Sequence, residues 1–505
     1  MTRRAMEFDT PTSLCRLGIA RGDITPPVGI YHRMWGAAAH DRSTGIHRPL
    51  TATAIWLRSA PHAPDSNLPG VHGESTNGQL VLIAVDHCLL WGDDMDELRR
   101  KVAGGAGAAY ERLLVMFSHT HGAGLMDRSR APLPGGELIG SYLDSLAETL
   151  ARLVREAEEA SAPAVISYAR GRCSLAANRD LWDAASQQWV CGFNPAGPAD
   201  DTLMVARVTD FAGQVRGTVV NYACHPTTLA WDNTLISPDY VGAMRDVVET
   251  ATAAPCFFIQ GASGELGPRR GFTGDVQIAD ANGRQLGHAV LSALESLPPA
   301  GTRYRYTGPV ISGAVIGVWN DAPLAGQELH QKGLWRYHRW HLDLDYRPGL
   351  PTLASLAAER ARQVEAEAAA RAAGDDKLAR KCRAKIEVAD RQMVRVRNVS
   401  PDRPYPFPIH LWQMGDAIWV AVESEHYQML QTALRDRFPA RTLVVATVVN
   451  GSLHTYLPPR EVYGTGIYQE TVALLAPGSL ERLIDEIARQ IVAWTESGGR
   501  EPDRR

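Results

Sequence analysis

A chain of 505 residues with 45% hydrophobic and 21% charged content has the composition of a globular protein large enough for a substantial core. Its 52 basic and 56 acidic residues leave a net charge of -4, which supplies no field for nucleic acid or an anionic membrane surface. The opening Met-Thr-Arg-Arg-Ala-Met lacks the apolar run of a secretory signal, and no stretch of about 18 apolar residues follows, so a cytoplasmic location without stable membrane association is expected.

In chain order, short apolar runs predict buried strands at 80–85, 113–117, 218–223, 256–259, 417–422 and 443–449. Helical periodicity falls between many of them, at 141–160, 240–251, 279–297 and 479–495, and strands alternating with helices indicate an α/β class. The Pro-, Ser-, Asn- and Gly-rich segment 61–78 reads as a surface loop. Residues 353–397 are dominated by Ala, Glu, Arg and Lys, and Gly374-Asp375-Asp376 interrupts them as the turn of a helical hairpin would. Such a hairpin serves as a lid, as an arm for a homodimer, or simply as a solvated excursion. The seven cysteines (Cys15, Cys88, Cys173, Cys191, Cys224, Cys256 and Cys382) include no Cys-x-x-Cys pair, which suits reduced core thiols better than a disulfide framework or a thiolate metal site.

Chemistry gathers where the strand-like runs end. Asp86 and His87 follow the first, Ser118-His119-Thr120-His121 the second, His225 the third, Gly261 to Glu265 the fourth, Glu423-Ser424-Glu425 the fifth, and Asn450 to Tyr456 the last. In α/β sheets, loops beyond the carboxyl ends of strands converge on ligand sites, so these residues are expected to share one crevice. A His-x-His pair leaving an extended strand points both imidazoles to one side, which suits a metal ligand with a neighbour for proton traffic. His225, before Pro226, reads equally as a ligand or as a strand cap. Glu423 and Glu425 emerge from a very apolar run and need a cation or donors, whether a metal or a salt bridge. Two histidines, a carboxylate and a further oxygen ligand with an open position make a hydrolytic zinc centre. The sequence has no phosphate-binding Gly-rich loop, no His-Glu-x-x-His and no Gly-x-Ser-x-Gly, and Ala123 and Gly124 break the metallo-β-lactamase pattern His-x-His-x-Asp-His.

With Gly18-Ile-Ala-Arg-Gly-Asp23-Ile-Thr-Pro-Pro27, Trp35-Gly36, Gly45-Ile-His47-Arg48 and Asn450-Gly-Ser-Leu-His-Thr-Tyr456, these motifs resemble the neutral/alkaline, non-lysosomal ceramidases and their bacterial homologues. The resemblance implies a single large mixed α/β domain of the ceramidase catalytic type over residues 15–500, with 353–397 inserted in it. It implies Zn2+ held by His119, His225, Glu425 and Tyr456, with His121, Arg179 and Tyr468 as catalytic residues. Glu423, two positions before Glu425, is the rival for the carboxylate position. Departures include Gly122-Ala123-Gly124 where the family has Ser-Gly-Pro, and Gly264-Glu265-Leu266-Gly267-Pro268-Arg269 where it has Gly-Asp-x-Ser-Pro-Asn. The chain also ends at Arg505 without that family's C-terminal immunoglobulin-like domain, so the expected partner is a small-molecule N-acyl substrate, which need not be membrane ceramide. The implied activity is hydrolysis of a linear amide by zinc-activated water, with His121 protonating the amine and Arg179 and Tyr468 donating to the oxyanion. The same centre serves ester or lactone hydrolysis or acyl transfer, and a non-catalytic ligand-binding homologue is the alternative of another class.

Overall fold

The computed structural model describes residues 6–59, 78–324 and 326–496; apart from Gly78, the loop expected at 61–78 lies outside them. Eight strands form one sheet in the order Cys256–Gln260, Val215–Tyr222, Thr202–Thr209, Ala162–Arg172, Thr12–Asp23, Thr51–Ser59, Gln79–Val85 and Leu113–Phe117. A second sheet has four, Trp335–Leu344, Tyr405–Met414, Ala417–Val422 and Thr442–Ala446. Most neighbours are antiparallel. Three pairs are parallel: Gln79–Val85 with Leu113–Phe117, Val215–Tyr222 with Cys256–Gln260, and Ala417–Val422 with Thr442–Ala446.

The two sheets stack face to face, and helices cover both outer faces. Leu80, Leu82, Leu114 and Met116 point at the small sheet and meet Trp412, Trp419 and Val444. Their alternates Val81, Ile83, Val115 and Phe117 point the other way, under helices Gly92–Ala106 and Ile139–Glu159. Helix Ile139–Glu159 seats itself through Tyr142, Leu143, Leu146, Leu150, Leu153 and Val154, the 3-and-4 spacing of an apolar stripe. Tyr240–Thr252 and Val276–Glu295 cover the rest of that face, while Met429–Arg437 and Ser479–Glu496 cover the small sheet. The fold is mixed α/β in four layers. Strands buried on both faces have no solvent side to mark with polar residues, so the parallel pairs read as unbroken apolar runs.

Residues 353–397 form helices Leu353–Ala372 and Asp376–Val396, capped at their starts by Thr352 and Asp375. The second helix is packed inward. A Cβ at Gly36 would lie 3.1 Å from that of Ala384, a tight contact, so the loop and this helix approach closely there. Glu387 is buried against Arg130 Nη1 at 3.1 Å and the Tyr31 hydroxyl at 3.2 Å.

Under the Gln79–Val85 strand end, buried Asp86 accepts from Thr51 N at 2.9 Å and from Arg245 Nη1 at 2.7 Å. Burial alone would raise the Asp86 pKa; the Arg245 guanidinium more than reverses this and holds it low. Removing one partner strands the other charge in the core. Arg245→Met is therefore expected to cost about 3–5 kcal/mol, while the double variant Asp86→Asn/Arg245→Met recovers part of it. Denaturant midpoints of the two variants check this, and a double variant no more stable than Arg245→Met would contradict it.

Candidate metal centre

The three parallel pairs end at one place. His119 follows Leu113–Phe117, His225 follows Val215–Tyr222, and Glu425 follows Ala417–Val422. Hydrogen bonds between the strand ends hold this junction: Asn450 N to Val115 O at 2.7 Å, Val115 N to Asn450 Oδ1 at 2.9 Å, Thr447 N to Gln260 O at 3.0 Å, and Asn221 Nδ2 to Val445 O at 2.9 Å.

His119, His225 and Glu425 are all buried, with one potential donor atom from each lying within 4.8 Å of the others. His119 Nε2 stands 3.2 Å from Glu425 Oε2, and His225 Nε2 stands 3.8 Å from the same oxygen. Donors about 2 Å from a tetrahedral metal are themselves roughly 3.3 Å apart, so the spacing suits a shared ion. Apart from the ion pair they form with each other, neither His119 Nε2 nor Glu425 Oε2 makes a hydrogen bond, an expensive condition for buried polar atoms that a shared ion relieves. On the other side of its ring, His119 Nδ1 bonds the Cys88 carbonyl at 2.7 Å, which as a donor fixes the tautomer and leaves Nε2 free to ligate. The Cys88 thiol, 3.7 Å from that same Nδ1, competes on the wrong side of the ring, so the set with Glu425 fits an ion better than Cys88, His119 and His121 do.

Strand Glu425–His426 pairs in parallel with Tyr456–Leu457, and the register sets Glu425 beside Tyr456. The Tyr456 ring stacks 6.4 Å from that of His225. Its hydroxyl accepts from Arg179 Nη2 at 3.1 Å, and the same Nη2 donates to Gly264 O at 2.6 Å. Arg179 is thus buried rather than in a surface ion pair, with Nε also directed at Gly264 O at 3.2 Å. Tyr468 opens the short helix Tyr468–Val472 and is 46% exposed, its ring 5.8 Å from Tyr456, which puts it at the mouth.

Two local expectations need correction. The His-x-His pair does not ride an extended strand: the strand stops at Phe117, and His119 has a φ of 65°. The rings still lie 5.2 Å apart, because the turn rather than strand alternation sets them. Gly124, with a φ of 76° and an ideal Cβ 2.7 Å from the Tyr31 carbonyl, belongs to the same turn and tolerates no side chain. Nor do Glu423 and Glu425 share a direction. Ser424, at a φ of 71°, breaks the alternation and sends Glu423 to His454 Nδ1 at 3.3 Å. Thr455, beside Tyr456, has a φ of 57°, so left-handed backbone recurs around the candidate ligands at a cost of about 1–3 kcal/mol per residue.

The charges follow from this packing. Burial would raise Glu425, yet the neighbouring His119 outweighs it and brings the carboxyl down to about 2. Burial and the positive charge of His119 hold His121 well below the usual histidine range; burial and Arg179 do the same for His225. His121 Nε2 lies 3.1 Å from His225 Nε2. Burial raises Glu265 to about 8; both its oxygens accept from Gln428 N at 3.0 Å, which makes it a loop anchor rather than part of the donor cluster. Residues that sequence reasoning did not single out for the site are Trp231 and Phe272. They pack edge-on against Trp35, whose ring is 5.1 Å from that of His121, and together they form an aromatic wall with no motif of its own.

No family model matches the sequence, and no curated protein matches it. Solved structures do. The neutral ceramidase from Pseudomonas aeruginosa superposes with a TM-score of 0.61 at 16% identity, covering 97% of this chain and 75% of that one. A ceramidase complexed with C2 superposes with a TM-score of 0.61 at 16% identity, covering 98% of this chain and 77% of that one. The chain has the fold of the neutral ceramidases.

Proposed function

We propose that this chain is a zinc-dependent hydrolase of linear N-acyl amides, with the metal held by His119, His225, Glu425 and Tyr456. The observation that carries the reading is the convergence of buried side chains on one spot, with His119 Nε2 and Glu425 Oε2 making no hydrogen bond beyond their own ion pair. The likeness to ceramidases makes a lipid amide the first substrate class to test. When bound, zinc supplies a Lewis acid for the scissile carbonyl and lowers the pKa of water from about 16 towards about 7.

The protein's own groups do the rest. His121, the most accessible of the three site histidines and kept neutral by burial, takes a proton at Nε2 and returns it to the departing amine. Tyr468, at the mouth, donates its hydroxyl to the charge that develops on the carbonyl oxygen. Arg179 acts through Tyr456: its bonds to that hydroxyl and to Gly264 tie the ligand loop to the loop after Cys256–Gln260. The wall of Trp35, Trp231 and Phe272 excludes water beside His121 and gives an apolar group somewhere to lie.

His119→Ala or His225→Ala is expected to drop bound zinc from one equivalent to below about a tenth and to abolish amide hydrolysis; elemental analysis with an amine-release assay reads both, and full activity in either variant contradicts the ligand set. His121→Gln should keep its zinc and lose roughly 100- to 10,000-fold in kcat. A metal-free His121→Gln protein would instead make that histidine a ligand. The two carboxylates separate by the same measurement: Glu425→Gln loses zinc and Glu423→Gln retains it, the reverse pattern reassigning the ligand.

A further inference from the structure

The inward face of helix Asp376–Val396 carries charge into the neighbourhood of the site. Glu387 is engaged by Arg130 and Tyr31, and Arg395 lies over the Trp91 ring, 5.7 Å from its centroid. Asp127, whose charge acts on Arg130, accepts from Ser129 N at 2.8 Å within its own turn. Arg130, Arg391 and Arg395 thus face Glu387 and Asp127, a surplus of one positive charge in this wall.

Of the two arginines of this wall that make no ion pair among the described residues, Arg391 and Arg395, Arg391 is the one tied to the Trp35 loop. Its Nη2 donates to the Met34 carbonyl, its Nε is buried with no hydrogen-bond partner, and among the described residues no carboxylate lies within ion-pair distance of it. Met34 leads directly into Trp35, which packs on His121. The guanidinium is also close enough to His121 and Tyr468 to act electrostatically on both. Glu387 acts on Arg391 from beyond ion-pair distance and is shared with Arg130, so a bound anion would offset the charge that Glu387 leaves.

We propose that Arg391 recognises a carboxylate on the substrate, so that the amide cleaved here is an N-acyl amine with an acidic amine portion, as in an N-acyl amino acid. The inference rests on the amidase reading above. The amine side is chosen because the carbonyl that Arg391 holds, that of Met34, leads into Trp35, which packs on His121, the group that protonates the departing amine. A single surplus cation matches a monoanion, and a guanidinium edge donates in parallel to two carboxylate oxygens. A neutral lipid amide would leave that edge as unpartnered as before.

The test compares N-lauroylglycine with N-lauroylglycinamide, which differ in charge at nearly constant shape, using the zinc-loaded full chain. The acid is expected to have a kcat/KM roughly 10- to 100-fold higher than the amide, and Arg391→Gln to bring that ratio within about threefold of one. Arg391→Lys, the variant that serves if Arg391→Gln does not fold, keeps the charge without the fork and should lower the ratio at least about threefold. Equal wild-type values, or a preference for the acid that survives both substitutions, overturn the proposal; the second result would make the metal the anion site. If neither compound is hydrolysed, turnover of a ceramide analogue overturns the proposal while keeping the amidase reading, and no turnover of it sinks that reading. Calorimetric titration of the same pair then decides separately: tighter binding of the acid that Arg391→Gln abolishes supports the carboxylate site, and equal affinities overturn it.

Discussion

The candidate centre exists because the carboxyl ends of strands from two different sheets are held together, and the side chains of buried Asn221 and half-buried Asn450 do much of the holding. Asn221 sits in the large sheet, donates to Ile259 O and Val445 O, and accepts from Val445 N, so one side chain completes the hydrogen bonding of a strand in the other sheet. Asn450 does the same in reverse, its Oδ1 accepting from Val115 N. Apolar contact alone packs two sheets but leaves their relative slide loosely defined, whereas a buried amide stays satisfied in only one register. His119, His225 and Glu425 inherit their separation from that register.

The loops that carry these ligands are not relaxed. His119, Ser424 and Thr455 have positive φ, and Thr455 is β-branched, so its left-handed conformation is the least favourable of the three. The left-handed turn at Ser424 separates two carboxylates that a straight strand would set side by side, leaving Glu425 at the histidines and Glu423 against His454 and the Tyr405 ring stacked on it. Strain of this kind is tolerated where packing on every side over-determines the backbone, and here the Glu425–Tyr456 ladder and the Val448 N to Ser424 O bond supply it.

How much of this a reader could take from the sequence depended on what each segment packs against. Strands such as Leu113–Phe117 and Ala417–Val422 are buried on both faces and announce themselves as apolar runs. Ala162–Arg172 and the hairpin Thr302–Ser312 with Ala314–Pro323 do not, because exposed ends and polar residues interrupt the pattern even though the strands pair along nearly their whole length, a bulge at Thr307 excepted. The site divides likewise. Histidines at strand ends were legible, and a family resemblance pointed to Tyr456 and Arg179. The choice between Glu423 and Glu425 was not legible, because it turns on the backbone conformation of a serine that has no propensity to adopt it.

The helical hairpin shows the opposite failure. An Ala-, Glu-, Arg- and Lys-rich stretch reads as solvated because those residues are usually exposed, and for most of helix Leu353–Ala372, Leu356, Glu367 and Ala370 excepted, the reading holds. In the following helix the same composition hides buried Glu387 and Arg395 and a partly buried Arg391, since a charged residue turned inward looks in sequence no different from one turned out. The consequence is a division of labour in space. The candidate ligands sit on strand ends built into the sheets, while, on the proposed reading, the groups that would meet the rest of a substrate come from the Trp35 loop and the hairpin. On that reading substrate choice is set in this wall rather than in the donor set.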